Sequence, residues 1–291
     1  MSVKIIQERL NSYACQTEQE EENALREITQ EIALAALSRA GFFKEAAFQG
    51  GTCLRVLYGL ERFSEDIDFA LQAINRDFKL EGYLKNLAIE FQAYGYQLEV
   101  QDRQKVDDTV KKVFLKDDSV GKLLIFRHSR WTRASRKIRV KLEIDTNPPE
   151  WSQFEVKFLD FPFPFPVTVH DLPTLFAGKS HALLCREYVK GRDWYDFVWY
   201  TSRKTPINFK FLAAANKQQG PWQNQDLNVD RAWYCREMEK KIRSMDWERV
   251  KEDVKRFLKR GSEGMLEFWN EAFFLERLHK WVGTFSGGYY G

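Results

Sequence analysis

Hydrophobic and polar residues alternate along several short segments in the first half of the chain. The clearest runs from Ile138 to Asp145, where an aliphatic residue at every second position alternates with a charged one. A period of two predicts a half-buried strand with one apolar and one charged face. Short apolar runs beside turn residues predict further strands at residues 46–48, 66–71, 96–100, 111–115 and 122–126.

Helical periodicity and capping residues mark the other elements. Thr17 and Glu20 resemble a capping box, which predicts a helix that continues to about Arg39 and stops before Gly41. The Pro- and Phe-rich residues 158–166 are predicted to be an extended connection. Asp171 and Asp193 are placed to cap two later helices. The remaining helices are predicted at residues 52–58, 78–94, 172–184, 194–202, 231–245, 247–259 and 263–281. The order of elements predicts an α+β fold, with a mixed sheet domain over residues 1–169 and a helical domain over residues 170–291.

Composition excludes several classes of protein. Charged residues make up 30% of the 291 residues and hydrophobic ones 44%, which is typical of a globular protein. No apolar run approaches the roughly 20 residues of a membrane span, and the N-terminus has no hydrophobic signal core, so a cytoplasmic protein is expected. The four cysteines and four histidines show no spacing typical of a zinc site.

The segment Phe48–Leu71, FQGGTCLRVLYGLERFSEDIDFAL, is the richest in candidate chemistry. Asp66 and Asp68 alternate with apolar residues on a predicted strand, so their carboxylates share a face roughly 6.6–6.8 Å apart along it. Two like charges so close need a cation or a shared proton. The favoured cation is Mg²⁺, which prefers one or two carboxylates together with substrate phosphates. A turn of two glycines and a threonine before a helix can bind those phosphates through backbone N–H groups and a hydroxyl. The turn residues are Gly50, Gly51 and Thr52, and three further residues lie close enough in sequence to reach the same phosphates: Arg55, Arg62 and Ser64.

A second strand offers a third acid for the metal site. The polar face of the predicted strand Ile138–Asp145 carries Glu143 in mid-strand and Asp145 at its end. Glu143 is favoured, with Asp145 close behind. The alternative is an ordinary surface strand on which Lys141 pairs with Glu143.

A basic segment is the strongest sign of a nucleic-acid partner. Residues 122–141 contain eight lysines or arginines and no acid, and aromatic residues interleave with them. Such a surface can follow a phosphate backbone and stack a base. The alternative is a solvated hairpin whose charges deter edge pairing. The candidate RNA-binding residues are Arg127, Arg130, Trp131, Arg133 and Arg136.

Two motifs together resemble the AbiEii-type toxins of the nucleotidyltransferase superfamily, which include the MenT-like toxins. The first is the string GGTCLRVLYGLERFSEDIDF, and the second is the pattern formed by Lys179, Ala182, Leu183, Arg186, Arg192, Asp193 and Asp196. The resemblance covers about residues 20–205. It implies a nucleotidyltransferase fold, a triphosphate contact for Lys179 and a requirement for the late aspartates, Asp196 before Asp193.

The resemblance implies a Mg²⁺-dependent transfer of a nucleoside monophosphate from an NTP to an acceptor hydroxyl. Asp66, Asp68 and Glu143 are the expected metal ligands. The expected acceptor is RNA, with the 3′ end of tRNA favoured, and an antitoxin is a further expected partner. Two alternatives stay open at this point: transfer to a small molecule, as in antibiotic resistance, and a non-catalytic nucleotide- or RNA-binding protein.

Overall fold

Seven strands form one mixed sheet in a computed structural model that describes residues 2–102, 109–117, 119, 123–128 and 138–285. In chain order the strands are β1 (Ala46–Gln49), β2 (Asp66–Leu71), β3 (Glu99–Asp102), β4 (Val110–Asp117), β5 (Ile138–Asp145), β6 (Phe154–Leu159) and β7 (Phe165–His170). Their order across the sheet is β3-β4-β5-β2-β1-β7-β6. The described α-helices are α1 (Ser2–Ser12), α2 (Glu18–Arg39), α3 (Gly50–Tyr58), α4 (Glu81–Ala93), α5 (Leu172–Cys185), α6 (Gly191–Ser202), α7 (Phe209–Gln218), α8 (Arg231–Arg243), α9 (Trp247–Lys255) and α10 (Glu271–Thr284).

The chain divides into two units, each with its own internal contacts. The sheet unit consists of Met1–Gly59, Phe63–Pro148 and Phe154–Val169, and the helical unit consists of Leu60–Arg62, Pro149–Gln153 and His170–Gly291. Two short segments that precede residue 170 in the sequence therefore belong to the helical unit. The fold is α+β, a mixed sheet followed by a largely helical C-terminal region, as the sequence predicts.

Strand β2 lies at the centre of the sheet. It pairs with β1 in the antiparallel direction and with β5 in the parallel direction. Ile67 and Phe69 of β2 are buried, whereas Asp66 and Asp68 on the other face are only partly covered. The alternation inferred from the sequence thus places the aspartates away from the apolar core.

Helix α2 supplies much of the core beneath the sheet, and its start follows the predicted capping. The Thr17 side chain accepts a hydrogen bond from the backbone N–H of Glu20, at 3.2 Å. The helix ends at Arg39, as predicted. Its middle turns are fully buried, with Ile28 and Ile32 inaccessible to solvent. An isolated helix of ordinary composition would be marginal, so this packing is the main source of its stability.

Several predicted segments of the sheet unit differ in the structure. Strand β3 begins at Glu99 rather than at residue 96, and helix α4 begins at Glu81 rather than at residue 78. No strand forms at residues 123–128, because the side chain of Gln7 in α1 binds the backbone there, accepting from Ile125 N at 2.7 Å and donating to Ile125 O at 3.0 Å. Residues 158–166 are not a simple connection, since β6 and β7 flank a short turn there. Phe165 and Val167 alternate with exposed positions, so the strand period was present but masked by the prolines.

The helical unit also departs from prediction at helix ends. The predicted helix 263–281 is a 3-10 turn, Glu263–Phe268, followed by α10, because Asn270 caps a new helix by accepting from Phe273 N at 2.9 Å. Helix α9 ends at Lys255 rather than at residue 259. Among the described residues, none of the helices combines the length and apolarity that a membrane-spanning helix requires.

Close packing in the helical unit depends on a glycine. A Cβ at Gly191, the first residue of α6, would lie 2.9 Å from the backbone N of Val254 in α9. The backbone N of Gly191 donates to the Asp253 carboxylate at 2.7 Å. Nearby, the rings of Trp247 and Phe274 stack at 4.1 Å. Such stacking stabilises more than burial alone.

Buried His170 predicts a pH dependence of stability. It packs edge-on against Phe211, 6.0 Å between ring centroids, and burial lowers its pKa from 6.5 to about 4. Between about pH 6.5 and pH 4 the unfolded chain therefore binds a proton at His170 that the folded protein does not bind. We expect this group to cost about 3 kcal/mol of unfolding free energy as the pH falls from 7 to 4. Urea denaturation at a series of pH values measures the slope. His170→Phe should flatten it over that window, and equal slopes in both proteins would contradict the assignment.

Candidate active site

The turn between β1 and α3 meets the Asp68 carboxylate directly. Gly50 has a φ of 80°, a conformation that side chains other than glycine rarely adopt. A Cβ at Gly50 would overlap Asp68 Oδ2 and lie 2.9 Å from Asp68 Cγ. Glycine is therefore needed twice, for the backbone conformation and for the approach of the carboxylate. The predicted phosphate turn and the predicted metal ligand are neighbours.

Thr52 has a different role in this structure from the phosphate contact predicted for it. Its side chain is fully buried, and its hydroxyl donates to the backbone carbonyl of Asp66. The hydroxyl thus ties the first turn of α3 to the start of β2. Its contact with phosphate stays a prediction, whereas its role in positioning Asp66 follows from the hydrogen bond.

The parallel register of β2 and β5 brings a third carboxylate beside the first two. Asp68 is paired in register with Glu143, and Asp66 with Lys141. On the other side, β1 places Gln49 opposite Asp68. Residues in register on neighbouring strands have side chains on the same face. Asp66, Asp68 and Glu143 therefore share one face of the sheet.

Lys141 supplies a positive charge on this acidic face. Its ammonium lies 2.6 Å from Glu143 Oε1, the pairing that the sequence left open as an alternative. Burial alone would lower the pKa of Lys141, but Glu143, Asp66 and Asp68 outweigh it and raise the pKa above its usual value. Within the described residues, the three carboxylates do not converge within 4.8 Å of one another. Instead, Glu143 forms an ion pair with Lys141.

Asp145 is less suited than Glu143 to be the third acid. It pairs in register with Ala70, beyond both aspartates. One of its oxygens accepts from the backbone N of Asn147 at 2.9 Å, and burial raises its pKa. These contacts match the end of a strand before the turn at Pro148.

Asp66 and Asp68 fit a magnesium ion by the nature and placement of their oxygens. Both are partly accessible and share a face, and Asp68 lies against Gly50 of the predicted phosphate turn. Mg²⁺ retains several waters and commonly takes one or two protein carboxylates plus substrate phosphates. Two carboxylates at the mouth of such a turn satisfy that requirement without a closed cage.

Arg55 is directed to the protein rather than to the turn. Its guanidinium pairs with Glu27 of α2 and lies over the ring of Phe63, 4.1 Å from the centroid. This contact anchors α3 on α2, so a phosphate contact would require Arg55 to exchange partners. The backbone carbonyl of Ser64 accepts from Gln30 Nε2 at 3.1 Å. Phosphate binding by either residue stays a prediction.

The helical unit contains a buried network of charges around Lys179. The ammonium of Lys179 lies 2.6 Å from Asp193 Oδ1 and 2.8 Å from Asp196 Oδ2. Asp196 also accepts two hydrogen bonds from Arg62, each at 2.6 Å, and both side chains are almost inaccessible to solvent. Arg186 binds the second oxygen of Asp193. Three cations thus share two carboxylates.

The pKa shifts in this network follow from its charges. Burial would raise the pKa of Asp193, but Lys179 and Arg186 hold it well below its ordinary range. Burial would lower the pKa of Lys179, yet the two aspartates raise it. Lys179 is accordingly a permanent cation at neutral pH. Removing one partner of a buried ion pair lowers the free energy of unfolding by about 3–5 kcal/mol.

Asp193 does not cap α6 as the sequence predicted. The helix begins at Gly191 after Lys190, so Asp193 lies in its first turn and accepts from Lys179 and Arg186. A carboxylate in the first turn still interacts favourably with the positive end of the helix. Asp196 contacts Lys179, whereas Arg192 lies over the ring of Phe257 at 4.1 Å.

Of the predicted RNA-binding residues, only Arg127 lies among the described ones. Its side chain is exposed, and its backbone N donates to Glu21 Oε1 at 2.6 Å. Glu21 also accepts from the backbone N of His128. Arg130, Trp131, Arg133 and Arg136 lie outside the described residues, so their role stays a prediction.

Arg62 is the residue that the sequence reasoning undervalued. The sequence suggested a phosphate contact for it, beside Ser64, whereas its side chain forms a bidentate bond to Asp196, 134 positions away in the chain. In the string LERF it follows the charged Glu61 and precedes Phe63, so the local pattern provided no signal that it is buried. Its acidic partner could not be read from the sequence.

Comparisons with known proteins place the chain in a family. Residues 32–274 match the family described as nucleotidyl transferase AbiEii toxin, type IV TA system. A crystal structure of a proposed nucleotidyltransferase from H. pylori is similar with 14% identity and a TM-score of 0.47, covering 88% of this chain and 91% of that one. The structure of JHP933 from Helicobacter pylori has 18% identity and a TM-score of 0.45, covering 91% and 97%. None of the curated proteins compared is significantly similar. Because the family match extends over most of its length, the chain belongs to the AbiEii nucleotidyl transferase toxins of type IV toxin–antitoxin systems.

Proposed function

We propose that this toxin transfers a nucleoside monophosphate from an NTP to the 3′ end of an RNA, with tRNA as the favoured acceptor and Mg²⁺ as the required ion. Family membership implies nucleotidyl transfer, an NTP substrate and an antitoxin partner. The single observation that carries the finer proposal is the contact geometry between Gly50 and Asp68. A bare backbone turn and a carboxylate lie at one place, which is what a metal-bound triphosphate requires.

The residues of the sheet unit have distinct proposed tasks. The N–H groups of Gly50 and Gly51 begin α3, so they and the helix dipole bind the β- and γ-phosphates. Asp66 and Asp68 would hold Mg²⁺, which neutralises charge as pyrophosphate leaves. Glu143, released from Lys141, would accept the proton of the attacking hydroxyl. Thr52 keeps Asp66 in position through its hydrogen bond.

Lys179 is proposed to stabilise the triphosphate, and Asp196 and Arg62 to position it. Arg62 is bound to Asp196 and Arg186 to Asp193, so both carboxylates retain a cationic partner when Lys179 turns to a phosphate. That arrangement supports binding of an anion by Lys179. Asp196 is fully buried and is therefore assigned a positioning role rather than contact with substrate.

The direct test of the reaction uses labelled nucleotides. The purified toxin is incubated with each of four α-labelled NTPs, Mg²⁺ and total RNA, and the products are separated by size. We expect label in the tRNA band. We expect no label when the RNA has been oxidised with periodate beforehand, because that treatment destroys the acceptor hydroxyl. Label on a small molecule instead of RNA would favour the antibiotic-type alternative. Retention of NTP with no transfer to any acceptor would favour a non-catalytic binder. Since both NTP and tRNA are found in the cytoplasm, the proposed reaction takes place there.

Salt dependence tests the contribution of the basic segment. If its arginines bind phosphates of single-stranded RNA, the logarithm of affinity should fall with the logarithm of salt by about 0.7 per contact. Arg130→Ala combined with Arg133→Ala should flatten that slope by about 1 to 1.5 units while NTP affinity changes little. Lys259→Ala with Arg260→Ala, two exposed cations of the helical unit, is the matched control. An equal slope in wild type and the Arg130/Arg133 variant would rank the small-molecule acceptor above RNA.

A further inference from the structure

Two helices of the C-terminal unit bring three different metal-binding side chains together. Cys235 and Glu239 lie one turn apart on α8, and His279 lies on α10. Their ligand atoms are all within 4.8 Å of one another, a grouping unique among the described residues. Cys235 Sγ is 3.5 Å and His279 Nε2 is 2.7 Å from the same Glu239 oxygen. None of these residues takes part in the proposed nucleotidyl transfer.

The backbone that carries these side chains is fixed by other contacts. The rings of Tyr234 and Trp281 pack between α8 and α10 at 5.6 Å, and both side chains are buried. Arg231 Nη1 donates to the carbonyl of Phe285 at 2.7 Å. Metal sites on rigid helices are held more accurately than sites on loops. The three ligands are therefore brought together before any ion binds.

The donor set and its geometry suit a tetrahedral transition-metal ion. Bond lengths of about 2.3 Å to sulfur and 2.0–2.2 Å to nitrogen and oxygen require ligand atoms roughly 3.3–3.7 Å apart. The observed separations differ from that range by amounts that side-chain rotation can supply. All three residues are partly or largely accessible, so water can take the fourth position. We propose that Cys235, Glu239 and His279 bind Zn²⁺, with water as the fourth ligand, and thereby join α8 to α10.

Charge balance supports the site and fixes how binding depends on pH. Zinc binds the thiolate form of cysteine, so binding releases the thiol proton of Cys235 into solvent. The thiolate and the Glu239 carboxylate then neutralise the ion, and His279 binds it as the neutral imidazole. Two arginines also act on these groups, Arg236 on Cys235 and Arg243 on Glu239. Arg243 is itself paired with Glu271 at 2.9 Å. One proton released predicts that affinity rises about tenfold for each pH unit.

Cobalt provides a spectroscopic test that does not depend on enzyme activity. The full-length protein is treated with a chelator, desalted and titrated with Co²⁺. We expect a thiolate-to-metal charge-transfer band that saturates at one equivalent and disappears when Zn²⁺ is added. Binding at Asp66 and Asp68 would give no such band, because those ligands are carboxylates. Cys235→Ser should abolish the band, and Cys185→Ser, the control at another partly buried cysteine, should retain it. A wild-type protein without the band, or a Cys235→Ser protein with it, would overturn the proposal.

Zinc affinity and thiol protection provide a second measurement. In competition with a chromophoric chelator, His279→Gln and Glu239→Gln should each weaken Zn²⁺ binding by at least about 10-fold, since even outer partners of a metal site cost 10–100-fold. Zn²⁺ should also slow alkylation of Cys235 but not of Cys185, as identified by peptide mass. His279 is largely exposed, so its substitution leaves the fold intact. Unchanged affinity in His279→Gln would reduce the cluster to an interhelical hydrogen bond.

Discussion

Asp68→Asn is expected to abolish nucleotidyl transfer without loss of fold. The substitution keeps the size of a partly exposed side chain but removes the charge that lies against the Gly50 turn. Metal-assisted stabilisation of developing charge contributes several kcal/mol, so the rate should fall at least about a thousandfold. The measurement is single-turnover transfer of label with Mg²⁺ as the sole divalent ion, together with a thermal unfolding curve.

Two controls make the Asp68 result specific. Asp77→Asn removes an exposed carboxylate in the loop that follows β2 and should leave the rate unchanged. Glu143→Gln should lower the rate strongly and Asp145→Asn weakly, because only Glu143 is in register with Asp68. Full activity in Asp68→Asn would disprove the proposed metal site. Equal losses in Glu143→Gln and Asp145→Asn would disprove the choice of third acid.

Lys179→Met is expected to reduce transfer by about 10²–10³-fold, the cost of losing one electrostatic stabiliser. Methionine retains most of the volume of the stem and removes only the charge. Its loss leaves Asp196 paired with Arg62, and Asp193 paired with Arg186. The rate is measured at saturating NTP and at a temperature where unfolding curves show the variant fully folded.

The control for Lys179 removes a neighbouring cation from the same carboxylate. Arg186→Met breaks a contact to Asp193 and should disturb the network comparably. It should lower the free energy of unfolding but change the transfer rate little, because Arg186 has no proposed phosphate contact. If both variants lose rate in proportion to stability, Lys179 acts only through the fold, and its proposed contact with the triphosphate is wrong.

The sequence was most informative where chemistry and local structure coincide. In Phe48–Leu71, the glycine turn, helix and strand are consecutive, so short-range patterns were enough to predict β2 and the helix that becomes α3. The strand β5 was predicted to the residue, because its alternation is uninterrupted. The third acid depended on register, and register is a long-range property that sequence alone does not specify.

Long-range partners explain what the sequence could not provide. Arg62 and Asp196 are 134 positions apart, and Cys235 and His279 belong to different helices, so nothing in local spacing joins them. The i to i+4 spacing of Cys235 and Glu239 was visible, but two ligands do not define a site. Helix α1 was missed because tertiary contacts stabilise it, including the bond from Arg9 to Glu31 at 2.6 Å.

The assignment of Leu60–Arg62 to the helical unit determines how the protein can be dissected. A fragment that begins at residue 170 would contain Asp196 without Arg62, leaving a fully buried carboxylate short of its bidentate partner. The complementary fragment would carry an arginine whose partner had been removed. A cut before residue 170 would thus separate Arg62 from Asp196 and deprive each fragment of the oppositely charged partner that the other carries. The helical unit can therefore form its buried pair of Arg62 and Asp196 only when residues 60–62 are present, a segment synthesised more than a hundred residues before residue 170.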